Sequence, residues 1–284
     1  MPAGGTGLVL RGLRKEPATI GKWHLGWDLT YKEGKAKTVD NIDFTKRVAN
    51  GPTDRGFDYF YGLTSPSGPP HLYMVNDMAE KQPNTRFEES GGGLYKIKGG
   101  IGHSDWSADG MQPHLADKML EYLDENKDSD KPFFLYMALT APHIPLFPSK
   151  EFKGKSKIGD YGDLVMMIDD IVGRVNRKLK EIGKYDNTIV MFAADNGCAG
   201  YINMDRINRK GHYPSYIYRG YKSHGWEGGH RIPFILSWGD RYGHVTDNSL
   251  VSLTDLYATF ADMLGYRIAA VSYTHLRAHE TDQY

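Results

Sequence analysis

The chain is poor in cysteine, in net charge and in long apolar runs. Among 284 residues there is one cysteine, Cys198. A disulfide within the chain and a multi-cysteine zinc site are therefore excluded. Lys+Arg and Asp+Glu both number 35, so the formal charge is zero. With no Lys/Arg run either, a nucleic-acid partner is not expected, because phosphate binding needs a basic face. No apolar stretch approaches a membrane span. The opening text, MPAGGTGLVLRGLRKEP, has too short an apolar core for a secretory signal. No internal repeat or heptad pattern is present. What the chain does have is glycine, 33 residues, with 19 Tyr and 5 Trp. Such a composition points to a loop-rich enzyme rather than a helical scaffold. A chain of this length buries a sizeable core without staples.

Periodicity places the elements. PFFLYMAL (132–139), TIVMFA (188–193) and IPFILSW (232–238) read as buried strands, and Ala18–Ile20 as a shorter one. Leu164, Ile168, Val172, Val175, Leu179 and Ile182 recur at helical spacing over 162–182, and Gly183 stops that helix. A second helix is expected over 112–125, with Leu115, Met119, Tyr122 and Leu123 inward. A third is expected over 252–264, with Leu253, Leu256, Tyr257, Phe260 and Leu264 inward and Gly265 as its stop. Residues 62–70 and 88–104, rich in Gly, Pro and Ser, read as long surface loops. Strands alternating with long helices predict an α/β sandwich with a mostly parallel sheet, whose ligands sit beyond the carboxyl ends of the strands.

Four polar clusters follow strands. In Gly21-Lys22-Trp23-His24-Leu25-Gly26, a fixed cation and a titratable nitrogen stand two apart; the same text also reads as a turn around a packed tryptophan. In Ala141-Pro142-His143-Ile144-Pro145, prolines fix the backbone on both sides of a histidine suited to acid–base work, or simply of a surface turn. Asp195-Asn196-Gly197 offers two oxygens suited to a hard cation, and is also an ordinary turn composition. In the stretch from Gly220 to Pro233, Lys222 is a candidate anion clamp. There, Glu227 and Arg231 are expected to pair or bond backbone and hold the loop, and the glycines permit close backbone approach.

Taken in order, these blocks resemble the formylglycine-dependent sulfatases, arylsulfatase-A-like members of the alkaline-phosphatase-like fold. IGKWHLG (20–26), GFDYFYG (56–62), PSGPPHLYMVND (66–77), KPFFLYMALTAPHIP (131–145), FKGKSKIGDYGDLVMMIDDIVGRV (152–175), TIVMFAADNG (188–197), GHYP (211–214) and RGYKSHGWEGGHRIPFI (219–235) carry the resemblance. It implies a sulfuric ester hydrolase acting on sulfate monoesters of small aryl compounds or glycans. Asp195 and Asn196 would be calcium ligands. Lys22 would stabilise the hydrated formylglycine, and His24 would regenerate its aldehyde. His143 and Lys222, with His212, would contact the sulfate and the leaving oxygen. Two lysines and a cation suit the charge that spreads over sulfate oxygens in the transition state.

The family's Cys-x-Pro/Ala-Ser-Arg segment and the aspartate pair of its first strand do not occur in this text. Cys198 follows Asp195-Asn196-Gly197 and is not that motif. The resemblance therefore implies a fragment: residues 1–265 as a partial catalytic domain, incomplete at both ends, and 266–284 as a short non-native or disordered tail. Residues 270–281 resemble translated adapter text, and MPAGGTGLVLRG an internal or frame-shifted start. No turnover is expected of the polypeptide as written. Localisation is not given by this text, although family members are often periplasmic or secreted. Two other readings remain. One is a phosphatase, phosphodiesterase or phosphoethanolamine transferase of the same superfamily, against which Asn196 counts as a poor zinc ligand. The other is a non-catalytic sulfated-glycan binder using the aromatic segment Phe57–Tyr61 and Tyr73.

Overall fold

A computed structural model of the chain describes residues 16–266. The expectations about the opening text and the tail beyond Tyr266 lie outside them. β1 (Glu16–Lys22) is an interior strand of a five-stranded sheet, flanked by β2 (Tyr59–Leu63) on one side and β7 (Phe133–Ala138) on the other. Both pairings are parallel, with Ala18 opposite Tyr59 and Leu135. An interior strand has no face toward water, and Ala18, Thr19 and Ile20 are accordingly buried. β3 (Met74–Val75) and β4 (Met78–Ala79) extend the β2 edge as a short antiparallel hairpin, so the order is β4-β3-β2-β1-β7.

α1 (Met111–Glu125) covers one face. Its Met111, Leu115, Met119, Tyr122 and Leu123 fall on one stripe and are all buried, as the spacing predicts. α2 (Asp160–Glu181) packs beside it through Leu164, Met167, Ile171, Val175 and Leu179. Each such burial contributes roughly 1.5–3 kcal/mol. The ion pairs Arg174–Asp117, at 2.5 Å, and Lys178–Asp124, at 3.5 Å, stitch the two helices at the surface. Ahead of α2, the buried Asp163 carboxylate accepts the amides of Gly154, at 2.7 Å, and Ser156, at 2.5 Å, which folds residues 149–159 onto the helix start. The opposite face of the sheet carries a second core, built on Trp23, Phe44, Phe57 and Phe60.

A separate antiparallel ladder joins β8 (Ile189–Ala193) to β9 (Phe234–Trp238), with Ile189 opposite Trp238 and Ala193 opposite Phe234. All three long apolar runs are thus strands. The α/β architecture, with its core of parallel strands and its helical layer, is as expected.

Three expectations change. Residues 88–104 are not all surface loop, because β6 (Gly100–Gly102) pairs with β5 (Thr85–Phe87) and Ile97 is buried. The glycines there serve close packing: a Cβ on Gly102 would sit 2.4 Å from the His71 carbonyl oxygen. The final helix, α5 (Asp255–Met263), buries only Ala261 fully; Leu256, Tyr257 and Phe260 are half-buried and Leu253 is exposed. Their intended face borders an open cleft rather than a packed core. Thirdly, the aromatic segment is not a sugar platform. Phe57, Phe60, Tyr61 and Tyr73 are buried, and the Tyr61 and Tyr73 rings stack on each other at 5.6 Å. Tyr61 also bonds inward, its hydroxyl 2.7 Å from Glu80 and 2.6 Å from His114.

Candidate active site

The carboxyl ends of β1, β7 and β8 open into one cleft, lined by Lys22, His24, His143, Asp195, Asn196 and Lys222 together. Lys22 is the last residue of β1. The residue before it sits where three backbones crowd: a Cβ on Gly21 would lie 2.0 Å from the Ala138 carbonyl oxygen, and one on Gly62 1.8 Å from that of Gly21. Only glycine allows the strands to meet that closely at the sheet's upper edge. Trp23 then turns inward, is buried against Phe57, and bonds the Gly26 carbonyl at 3.2 Å. The packed-tryptophan turn and the exposed His24 are two consequences of one loop.

Asp195 and Lys222 are held in register by crossed glycine loops. The Gly197 amide donates to the Gly229 carbonyl at 2.9 Å, and the Lys222 amide to the Cys198 carbonyl at 2.8 Å. Gly228 bonds back to the Arg219 carbonyl at 2.9 Å. A Cβ on Gly197 would lie 1.9 Å from the Gly228 oxygen, and one on Gly229 2.1 Å from that of His224. Glu227 and Arg231 pair at 2.8 Å across the short helix α4 (Glu227–His230), as their spacing suggests, and Arg231 covers the Tyr218 ring. Both prolyl bonds flanking His143 are cis.

The electrostatics follow from crowded cations. Burial, and then the nearby Lys222 ammonium, lower the pKa of Lys22, with Asp195 opposing. Lys22 in turn is the main cause holding His24 below its ordinary value. Burial lowers His143, with both lysines adding to the effect and the Ile144 carbonyl opposing it. That carbonyl lies 2.6 Å from His143 Nδ1, so Nδ1–H donates and Nε2 carries the lone pair. Two ammonium groups facing neutral imidazoles make an anion site.

Not every sequence-derived residue arrives. His212 is exposed on the loop after α3 (Met204–Asn208) and does not line the cleft. Conversely, Tyr161 and Tyr201 line it and were not singled out; Tyr201 stands edge-on to His143 at 6.3 Å, and burial pushes Tyr161 up to about 12. Tyr161 is helical text and Tyr201 follows a glycine turn, so neither carries a local signal.

Asp195 and Asn196 alone do not fit a resident calcium ion, which takes six to eight oxygens. The Asn196 amide nitrogen donates to the Gly197 carbonyl at 3.0 Å, leaving one amide and one carboxylate as donors. Among the described residues no group of three or more His, Cys, Asp or Glu is placed to hold a metal ion. Nor does Cys198 fit a formylglycine precursor: its sulfur is wedged 3.2 Å from Ser215 Oγ and 3.6 Å from Met204 Sδ. Among the described residues no helix is long and apolar enough to cross a membrane.

A family model described as Sulfatase matches residues 9–266. The chain is 29% identical over 280 residues to an N-acetylgalactosamine-6-O-sulfatase of Bacteroides thetaiotaomicron, covering 86% of this chain and 53% of that protein. It is 30% identical over 250 residues to the N-acetylgalactosamine-6-sulfatase of Homo sapiens (87% and 42%), and 30% over 246 residues to an arylsulfatase of Hemicentrotus pulcherrimus (87% and 40%). The fold superposes on a solved protein of a Bacteroides thetaiotaomicron locus for metabolism of multiple glycosaminoglycans, with a TM-score of 0.76 at 25% identity, covering 93% of this chain and 60% of that one. It also superposes on the PsFucS1 sulfatase of Pseudoalteromonas sp., with a TM-score of 0.66 at 26% identity (92% and 50%). The chain spans about half the length of the curated relatives it matches.

Proposed function

The chain belongs to the sulfatase family, and from that premise we propose that it is the sulfate-binding part of a sulfuric ester hydrolase. The observation that carries this reading is that Lys22, at the carboxyl end of β1, lines one cleft with Lys222. A sulfate monoester exposes its charge on peripheral oxygens, and two ammonium groups held in one cleft match that charge. Burial and then the repulsion from Lys222 lower Lys22, and that repulsion is relieved when an anion sits between them.

His143 supplies the proton chemistry. In the free cleft it is held neutral, with Nε2 open. A bound sulfate offsets the lysine charges, so Nε2 holds a proton more readily and can donate it to the leaving oxygen. His24, kept neutral mainly by Lys22, is placed to accept a proton. Calcium and formylglycine are the family's usual complement. The residues described here do not make a site for either, and no step is routed through them. The 6-sulfate of N-acetylgalactosamine, named in two relatives, is the first natural group to try.

The test is binding of 4-nitrophenyl sulfate to the 284-residue chain by calorimetry. Saturable binding that weakens at least tenfold in both Lys22→Ala and Lys222→Ala supports the assignment. Equal affinity for 4-nitrophenol, or unchanged affinity in both variants, refutes it. Tighter binding of 4-nitrophenyl phosphate would favour the phosphatase reading instead.

A further inference from the structure

The zero charge of the whole chain is not spread evenly over its surface. Two short segments, KGKSK (153–157) and RINRK (206–210), hold six cations and no acid. Lys157 and Lys210 stand 53 positions apart, so no basic run shows in the text. The fold closes that gap. The Lys210 ammonium donates to the Lys157 carbonyl at 2.6 Å. Arg206, one helical turn earlier and so on the same side, brings a guanidinium nitrogen to 3.8 Å from where a Gly159 Cβ would stand.

Both segments are tied down by their own backbone. The Asp163 carboxylate fixes the amides of Gly154 and Ser156, and the Ser156 hydroxyl takes the Ile158 amide at 3.2 Å. The Asn203 side chain caps α3 by accepting the Arg206 amide at 3.2 Å. Phe152 and Ile207 are buried and anchor the two segments. The cations stay outside, and all six are exposed. Among the described residues none of the six makes an ion pair, whereas Arg47, Lys81, Arg86 and Arg174 each have a carboxylate partner. Glu151, Asp160 and Asp205 border the segments without pairing to them, and the Asp160 carboxylate takes the Tyr95 hydroxyl instead. Like charges gathered without partners create a positive potential that draws in anions.

This surface starts at the wall of the sulfate cleft. Tyr161, just beyond Gly159, and Ile202, just before Asn203, both line that cleft. Three kinds of polyanion could meet it, and two lack what they need. Single-stranded nucleic acid is held by aromatic side chains set among the cations, and these segments carry none. An anionic membrane is held by an apolar face beside the cations, but Phe152 and Ile207 are turned inward. A sulfated polysaccharide needs neither. It carries anionic groups at regular intervals, so one can enter the cleft while its neighbours lie outside.

We propose that residues 153–157 and 206–210 form an anion-binding ridge beside the cleft, which holds the flanking sulfates or carboxylates of an anionic polysaccharide chain. The identity of the polymer rests on the sulfate-cleft reading, whereas the ridge stands on its own charges. A polymer gains affinity from the ridge, and a single small sulfate ester does not.

The experiment uses the full 284-residue chain and calorimetric binding of two ligands. One is 4-nitrophenyl sulfate, which is too small to span cleft and ridge. The other is a chondroitin 6-sulfate dodecasaccharide, in which N-acetylgalactosamine 6-sulfate alternates with a uronic acid. The ridge variant joins Lys153→Gln, Lys155→Gln, Arg206→Gln and Arg209→Gln. Lys157 and Lys210 are kept, because their contact ties the segments together. The dodecasaccharide should bind the variant at least tenfold more weakly and with a shallower salt dependence, since fewer counter-ions are released. Affinity for 4-nitrophenyl sulfate should stay within twofold. If the variant melts below the parent, Lys153→Gln with Lys155→Gln alone is read, with an expected threefold loss. Unchanged dodecasaccharide affinity, no binding of it to the parent, or equal losses for both ligands would overturn the proposal. So would an oligothymidine strand or phosphatidylserine vesicles that bind the parent as tightly and lose as much in the variant. If 4-nitrophenyl sulfate fails to bind the parent, the cleft reading falls, and the dodecasaccharide loss still decides the ridge.

Discussion

Replacing Gly197 by alanine tests how the candidate site is held together. The new Cβ would lie 1.9 Å from the Gly228 carbonyl oxygen, 2.9 Å from its carbon and 3.1 Å from the Gly229 carbonyl carbon. All three are backbone atoms, so no side chain can swing aside. Reaching even a 3.0 Å separation from the oxygen moves the two loops apart by about 1.1 Å. That shift breaks the Gly197–Gly229 bond, now 2.9 Å, and drags on the Lys222–Cys198 bond, now 2.8 Å. Overpacking costs typically 1–3 kcal/mol, and an orphaned buried amide about 1–3 kcal/mol more. The sum, roughly 2–6 kcal/mol, corresponds to a melting-temperature loss of about 4–24 °C for a domain of this size. Lys222 would also move relative to Lys22, so 4-nitrophenyl sulfate should bind at least tenfold more weakly than to the unmodified chain. The control lies in the opposing loop: a Cβ on Gly225 would meet nothing within 4 Å. Gly225→Ala should therefore melt within about 2 °C of the parent, as surface substitutions usually do. Calorimetric melting of the two variants decides the matter. If Gly197→Ala melts with Gly225→Ala, the crossed-loop account is wrong.

Further outcomes are expected. Asp163→Ala strands the amides of Gly154 and Ser156 in a buried site, at roughly 1–3 kcal/mol each, and should lower the urea midpoint far more than Asp163→Asn, which keeps an acceptor. His71 is buried between Phe87 and Trp106, and burial holds its pKa below 6.5. The unfolded chain therefore binds the proton first: stability is full above about pH 6.5 and falls as pH drops below it, by up to about 1.4 kcal/mol per unit for this one group. His71→Asn should reduce the slope of unfolding free energy against pH by up to one proton; an unchanged slope would rule His71 out. His24 and His143 are also lowered, so protonation below pH 6.5 adds positive charge around the lysines. Affinity for 4-nitrophenyl sulfate should rise as pH falls through that range, and the rise should vanish when both histidines are glutamine.

The sequence was most legible where one residue's neighbours lie on its own element. The stripe Leu115–Met119–Tyr122–Leu123 and the run 188–193 needed only local spacing. Lys22, His143 and Asp195 were legible for another reason: each follows a strand, as ligand-binding residues of α/β proteins do; Lys222 was legible from its glycine-rich surroundings. Burial that depends on distant partners was not legible. Tyr61 resembles a surface aromatic until α1 closes over it with His114. Gly100 and Gly102 resemble loop residues until Pro69 and His71 arrive against them. The incomplete burial of α5 was equally invisible, since its stripe is well formed and only the wall it faces is open.

The interior position of β1 also bears on synthesis. Its second ladder, to β7, begins with Glu16 opposite Phe133, a partner 117 positions later in the chain. At roughly 5–20 residues per second, a ribosome needs about 6–23 seconds to supply it. Through that interval the strand that will lie between β2 and β7 waits with one edge bare. The lysines and acids of residues 31–46, YKEGKAKTVDNIDFTK, emerge during the wait, and charged text beside a bare edge discourages pairing between nascent chains.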